Sequence, residues 1–189
     1  MRERLSPHPT TPCALIEHIE AALTRPDFDH LLVNFKLAGQ LGDLWLPETV
    51  RSHRGADLWQ RTCFEVFITF GENKYAEFNF SPSTVWAAYL FDDYRQGMKD
   101  ALMVNPPVVE VTRSSHEFHM NIALPLSTIL PDANRQQDWS EDAGKIALSA
   151  VIEENDGTMS YWALAHQTSK PDFHHRDGFV LSLPEKRET

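Results

Sequence analysis

Hydrophobic and polar residues alternate along most of the chain from His30 onward, with the period of two that is typical of β-strands with one buried face. In the segment HLLVNFKLAG, every second residue is apolar and falls on one face, namely Leu31, Val33, Phe35 and Leu37. Later segments have the same character, in chain order FEVFITF, YAEFNFSP, VWAAYLF, VVEVTR, EFHMNIAL, KIALSAVIEE, MSYWALAH and GFVLSL. Turn residues separate several of them. The pattern predicts an all-β chain that forms an antiparallel β-sandwich with a few short helical turns.

Two regions do not follow this pattern clearly. From Leu15 to Leu23 the apolar residues fit an amphipathic helix as well as a strand, so both alternatives stay open. A short helical turn is expected near residues 126–130, and a polar loop over residues 131–144. The 189 residues contain no repeat or linker and can bury roughly 70% of the surface that the unfolded chain exposes. We therefore expect one domain over residues 1–189.

The charge balance limits the class of partner. A net charge of −10 argues against a nucleic-acid backbone or an anionic membrane, because binding to either depends on clustered Lys and Arg. The two cysteines, Cys13 and Cys63, lie outside any C-x-x-C motif, which favours a reducing compartment. The amino-terminal stretch lacks the composition of a signal peptide. We expect a cytoplasmic protein without a membrane segment.

The hairpin CFEVFITFGENKYAEFNFSP carries carboxylates among aromatic and β-branched residues. A three-residue turn at Gly71–Asn73 sets Glu65 opposite Asn79, and the same register sets Glu77 opposite an aromatic residue of the first strand. One face then holds only apolar residues and is predicted to be core, namely Phe64, Val66, Ile68, Ala76, Phe78 and Phe80. Glu65, Glu77 and Asn79 share the opposite face.

The third strand of this meander, VWAAYLF, adds Tyr89 beside Glu77. The face then offers carboxylates, an amide and a phenol, which are suited to a polyhydroxylated or cationic small molecule. The alternative is a solvated outer face whose acids only discourage edge-to-edge aggregation. That alternative suits Glu77 better than Glu65, which has large apolar neighbours and is predicted to be a partly buried carboxylate paired with Arg61.

Two further segments concentrate aromatic and polar side chains. RGADLWQRT places Trp59 between two arginines, and an exposed indole can stack on a sugar ring while Arg binds its oxygens. In YWALAHQTSKPDFHHRDGF, Trp162 and His166 share one strand face, and the loop that follows can close a pocket with Lys170, Asp172 and His174. The alternatives are that Trp59 covers one end of the core and that the loop is ordered by its own hydrogen bonds.

Motifs for other chemistries are weak. His116 and His119 are three residues apart, so a strand directs them to opposite faces, and we expect no metal site. The sequence contains no Walker loop and no G-x-G-x-x-G, G-x-S-x-G or H-E-x-x-H motif. Two acids on one face can act as an acid and a base, but no set of nucleophile, base and orienting residue can be named.

The segments DLWQRTCFEVFI, YAEFNFSPSTVWAAYLFDDYRQG, SYWALAH and KPDFHHRDGFVLSL resemble the DOMON-like domains. The resemblance is to a bacterial subgroup described beside UDP-N-acetylmuramate dehydrogenase and, more distantly, to family 9 carbohydrate-binding modules. It spans about residues 31–183 and implies a single β-sandwich that binds sugar or haem.

The resemblance also implies roles for individual residues. In sugar-binding relatives, tryptophans hold the ring while acidic, amide and basic side chains take its hydroxyls, which points to Trp59, Glu65, Glu77 and Asn79, with Trp162 as a second wall. In haem-binding relatives a methionine and a histidine ligate the iron, which here points to Met98 or Met103 with His166.

From the sequence we expect a non-catalytic, cofactor-free module that binds a carbohydrate or sugar derivative. The expected ligand-binding residues are Trp59, Arg61, Glu65, Glu77, Asn79, Tyr89, Trp162, His166, Lys170, Asp172 and His174. The alternatives are a haem-binding redox domain and an enzyme that processes a sugar derivative with Glu65 and Glu77. The expected partner is a small molecule rather than nucleic acid or membrane, and the sequence does not identify a partner enzyme.

Overall fold

The computed structural model describes residues 1–127 and 144–186, so the predicted polar loop and most of the predicted turn at residues 126–130 lie outside the described residues. Within the described residues, three short 3₁₀ helices occur at Leu41–Asp43, Leu58–Gln60 and Arg176–Gly178. The strands are β1 (Arg2–Pro7), β2 (Ile16–Thr24), β3 (His30–Gly39), β4 (Cys63–Thr69), β5 (Tyr75–Phe80), β6 (Trp86–Phe91), β7 (Lys99–Asp100), β8 (Val108–Arg113), β9 (Glu117–Pro125), β10 (Lys145–Glu153), β11 (Met159–Ala163) and β12 (Leu181–Ser182). A helix long and apolar enough to cross a membrane is not found in this part of the chain.

The strands form two antiparallel sheets. The first has the order β1-β2-β3-β9-β8, and the second has the order β7-β6-β5-β4-β10-β11-β1, with β12 also paired to β10. Strand β1 belongs to both sheets, because its first residues pair with β2 whereas Ser6 and Pro7 pair with β11. The predicted antiparallel β-sandwich is confirmed.

Aromatic side chains join the two sheets in the core. Phe64 of β4 stacks on Phe118 of β9 with ring centroids 5.4 Å apart, and its ring lies 5.2 Å from that of Phe35 in β3. All three are fully buried. Burial of one such side chain contributes roughly 1.5–3 kcal/mol, so these contacts hold the second sheet firmly against the first. The polar face of the β4–β5 hairpin therefore points away from the core.

The β4–β5 hairpin has the predicted register. Glu65 pairs with Asn79, and Glu77 pairs with Phe67. Strand β6 then places Tyr89 opposite Glu77, also as predicted. The face is not solvated, however, because Glu65 and Glu77 are only 2% and 6% exposed. Other parts of the chain must therefore cover the acids.

The segment that fits both helix and strand is strand β2. Its helix-like spacing has a local cause, since a β-bulge between Ile16 and His18 shifts the register with β3. The bulge allows Ile16 and Ile19, which are three residues apart, both to be buried in the core.

Strands β1 and β7 have little hydrophobic pattern of their own. The only fully buried residue of β1 is Leu5, and both residues of β7, Lys99 and Asp100, are exposed. Their strand conformation follows from pairing with β2, β11 and β6, which local sequence does not reveal.

Candidate functional site

A cavity of about 350 Å³ lies on the outer face of the second sheet, above the β4–β5 hairpin. Its floor comes from neighbouring strands and includes Glu65, Glu77, Tyr89, Val151 and Tyr161. Its rim comes from loops and the helix at Leu58–Gln60, and includes Trp59, Arg95, Met98, Phe173 and His174. A second cavity, of about 410 Å³, lies on the other side of His174 and does not contain the buried glutamates.

Glu65 is a buried acid at the floor of the cavity. The Ser149 hydroxyl donates a hydrogen bond of 2.9 Å to its Oε2. Burial and the nearby charge of Glu77 raise the pKa of Glu65 to about 8, although Ser149 and Arg95 act in the opposite direction. At pH 7 the carboxyl group is therefore mainly protonated, and it can donate as well as accept a hydrogen bond.

Glu77 lies on the same face, with one carboxyl oxygen hydrogen-bonded and the other facing a histidine. Asn79 donates a 2.7 Å hydrogen bond to Oε1, and Nε2 of His174 lies 3.8 Å from Oε2. Burial raises the pKa of Glu77, with Asn79 and the charge of Arg95 opposing the rise. Both acids of the hairpin therefore hold a proton more strongly than exposed glutamates do.

His174 connects the covering loop to the hairpin through Tyr75. Its Nδ1 lies 2.8 Å from the Tyr75 hydroxyl, which accepts a hydrogen bond of 3.1 Å from the Arg95 amide. Burial, together with the charge of Arg95, lowers the pKa of His174 to about 4, so the ring is neutral at pH 7. Nδ1 of the ring lies within hydrogen-bond distance of Tyr75, and Nε2 faces Glu77.

An ion pair joins the two loops that cover the cavity. Arg95 donates to one oxygen of Asp172 at 2.8 Å, and the Tyr94 hydroxyl donates to the other at 2.5 Å. Burial raises the pKa of Asp172, but these two hydrogen bonds outweigh it and bring the pKa below its ordinary value. Asp172 therefore stays charged and neutralises Arg95.

Two aromatic pairs stand around the cavity. The ring of Trp59, which is 38% exposed, stands edge-on to Tyr89 with centroids 6.2 Å apart. Tyr161 and Phe173 form the other pair, at 6.1 Å. The cavity thus combines polar groups on its floor with aromatic surfaces at its sides.

Most of the predicted site residues meet here. The cavity is lined by Trp59, Glu65, Glu77, Tyr89 and His174. Asn79 and Asp172 lie directly behind lining residues and hold them by the hydrogen bonds described above. Whether any of them binds a ligand stays a prediction.

Arg61 and Trp162 lie elsewhere. Arg61 donates a 2.8 Å hydrogen bond to Glu153 and packs over the ring of Trp45, so the predicted pair of Glu65 with Arg61 is wrong. Trp162 is 3% exposed in the core between the sheets, where its indole N–H donates to Ser160. It cannot form a second wall of the cavity.

His166 and Lys170 are also outside the cavity. Strand β11 ends at Ala163, so His166 is not on the predicted strand, and its Nε2 lies 2.8 Å from the Ser6 carbonyl oxygen. Lys170 is exposed. Met98 lines the cavity, whereas Met103 and His166 do not, so neither methionine considered as a haem ligand meets His166 there. Over residues 1–127 and 144–186, no three His, Cys, Asp or Glu side chains are grouped to hold a metal ion.

Sequence reasoning missed Arg95, Tyr161 and Phe173. Alternation along β11 is a usable signal for Tyr161, because Trp162 beside it belongs to the core and Tyr161 therefore points outward, opposite Val151. Arg95 lies in a turn with φ of +52°, and its position depends on Asp172 in a distant loop. Nothing in the local sequence indicates that contact.

No family model matches the chain, and no curated protein matches its sequence. Among solved structures, a protein from Bacteroides uniformis ATCC 8492, for which carbohydrate binding has been proposed, has a TM-score of 0.64 to this chain. The two are 11% identical, and the match covers 94% of this chain and 83% of the other. At this identity the likeness shows a shared fold, and membership of the DOMON-like domains stays a prediction.

Proposed function

We propose that this chain is a non-catalytic module that binds a carbohydrate or sugar derivative in the cavity above β4 and β5. The observation that carries the proposal is the cavity itself, in which buried carboxyl groups and aromatic faces line one space of about 350 Å³. Ligand pockets typically measure roughly 300–1,000 Å³, so this one suits a small ligand.

The lining groups are suited to sugar hydroxyls and to the C–H face of a ring. A protonated Glu65 offers a donor and an acceptor, and the partly exposed Trp59 offers a flat apolar surface at the rim. The ion pair of Arg95 with Asp172 fixes the covering loops, so the cavity is largely formed before a ligand binds.

The fold gives independent support. The B. uniformis protein shares this β-sandwich, and carbohydrate binding has been proposed for it. The resemblance to DOMON-like domains implies sugar or haem, and the separation of His166 from the cavity favours sugar.

The proposal is tested by titrating the purified chain with a panel of mono- and disaccharides, using calorimetry. We expect at least one to bind saturably, and Trp59→Ala to weaken it tenfold or more, which corresponds to about 1.4 kcal/mol. Trp45→Ala is the matched control, because Trp45 is also partly exposed but contacts Arg61 outside the cavity. Equal sugar affinity in the wild type and Trp59→Ala would mean that the sugar does not bind in this cavity.

An enzymatic role has one observation in its favour, since a carboxyl group with a pKa of about 8 beside a second acid resembles the acid of an acid–base pair. We rank it second because both oxygens of Glu77 already face Asn79 and His174. Prolonged incubation of the wild-type chain with the bound sugar, followed by chromatography, separates the two roles. We expect the sugar to be recovered unchanged, and a product that disappears in Glu65→Gln would establish catalysis.

A further inference from the structure

We infer that the ligand carries an ammonium group, as an amino sugar does, and that this group binds between the carboxyl groups of Glu65 and Glu77. The inference rests on the proposed function and names the class of ligand for the same cavity. It depends on three features of the cavity: a carboxyl oxygen that faces it without a protein partner, two acids without a cation, and aromatic walls.

Glu65 presents the unpartnered oxygen. The residue is 2% exposed, and Ser149 occupies only its Oε2. Among the described residues, Oε1 has no hydrogen-bond partner, although the side chain lines the cavity. Because this oxygen is open to the cavity, a hydrogen-bond donor of a ligand placed there can bind it.

The two acids also lack a cation of their own. Within the described residues, the only ionisable partner of either carboxylate is His174, 3.8 Å from Glu77 and neutral at pH 7. Arg95 acts on both acids from farther away, but its ion pair is with Asp172 at 2.8 Å. A ligand cation would therefore meet acceptors that the protein has left uncompensated.

The sides of the cavity suit an organic cation. The faces of Trp and Tyr attract ammonium groups, and the Trp59–Tyr89 and Tyr161–Phe173 pairs lie on the same cavity as the acids. A calcium or magnesium ion would instead need about six or more oxygen ligands and would leave these rings unused.

Binding of a cation should also displace a proton. In the ligand-free protein the pKa of Glu65 is about 8, so the carboxyl group is protonated at pH 6.5, and an adjacent ammonium group favours its ionised form. The other ionisable groups around the acids have pKa values shifted away from pH 6.5, so they keep their charge state there, namely Cys63, Tyr75, Tyr89, Arg95, Asp172 and His174.

The experiment compares D-glucosamine, D-glucose, N-acetyl-D-glucosamine and cyclohexylamine by calorimetry at pH 6.5, in two buffers with different ionisation enthalpies. We expect glucosamine to bind the wild type at least tenfold more tightly than glucose or N-acetylglucosamine, with release of close to one proton. Glu65→Gln and Glu77→Gln should reduce this preference to twofold or less. Glu110→Gln, an exposed position on β8 in the other sheet, should leave it unchanged.

Each result decides between the two proposals. If the neutral sugars bind as tightly as glucosamine, or if the preference survives in both acid variants, the ammonium site is overturned and carbohydrate binding stands. If cyclohexylamine binds and no sugar does, the ammonium site stands and the carbohydrate function falls. Proton release is measured on the wild type, so this test does not depend on the folding of a variant. If glucosamine binds the wild type without proton release, the role of Glu65 is overturned. Failure of all four probes to bind overturns both.

Discussion

Replacing Glu65 with Gln should stabilise the ligand-free protein at neutral and alkaline pH. Gln has nearly the same shape, and its carbonyl oxygen can still accept the hydrogen bond from Ser149, so the packing around β4 is retained. What the substitution removes is an acid that must ionise in a buried place beside Glu77. The expected gain depends strongly on pH.

The magnitude follows from the pKa of Glu65, which is about 8 in the folded protein against an ordinary value of 4.5. Between these two values the folded state binds more protons than the unfolded state, so the free energy of unfolding falls as the pH rises. At roughly 1.4 kcal/mol per pKa unit, burying Glu65 lowers the free energy of unfolding by about 5 kcal/mol above pH 8. At pH 7 the reduction is about 3 kcal/mol. This is a large share of the 5–15 kcal/mol that is typical of a domain.

The assay is urea unfolding of the wild type, Glu65→Gln and the control Glu110→Gln at pH 5, 7 and 9. We expect Glu65→Gln to match the wild type within about 1 kcal/mol at pH 5 and to exceed it by about 4–5 kcal/mol at pH 9. Some slope should remain, because the pKa of Glu77 is raised in the same direction. Parallel profiles for the wild type and Glu65→Gln would refute the reasoning, since they would mean that Glu65 ionises as easily in the fold as in the unfolded chain.

Two other predictions concern the covering loops and the haem alternative. Asp172→Asn removes the charge that holds Arg95, whose side chain is 50% exposed, so we expect the free energy of unfolding to fall by only about 0.5–1 kcal/mol. Hydrogen exchange, measured by mass spectrometry, should become faster in residues 170–178 and stay unchanged in β4 and β5. The protein purified from haem-supplemented cells should show no Soret band, because Met98 lines the cavity while His166 contacts the Ser6 carbonyl; a band that is lost in His166→Ala would support haem instead.

The hairpin that carries the acids could be predicted because two local rules determine it. Strict alternation assigns the core face, and the three-residue turn then fixes which residues are opposite each other, so Glu65, Asn79 and Tyr89 fall where expected. The same rules fail at β2, where a bulge between Ile16 and His18 imitates helical spacing. They also fail at β1 and β7, whose conformation depends on pairing with distant strands.

The loops around the cavity were harder to predict, because their positions depend on contacts between distant segments. Alternation along β11 does not show which of its two faces is buried. The sequence therefore predicts Trp162 on the ligand face, whereas its pairing opposite Ala150 places it in the core. Arg61 is the arginine nearest to Glu65 in sequence, whereas the cation that acts on Glu65 in the fold is Arg95, in the turn after β6. Proximity in sequence is a weak guide to charge pairing in a sheet protein.

The placement of Arg95 is also the strongest reason to regard the acids as functional. Burial raises the pKa of both glutamates, and the charge of Arg95 opposes that rise. A direct ion pair of Arg95 with one of them would therefore have stabilised the ligand-free fold. Asp172 instead binds Arg95, and the two buried acids have no ion pair with a protein cation among the described residues. Replacing buried charged residues with apolar ones often leaves the stability of a fold unchanged or increases it. Selection for stability alone would therefore not keep Glu65 and Glu77. A fold that keeps the acids and pairs Arg95 with Asp172 supports our inference that a positive group comes from outside the chain.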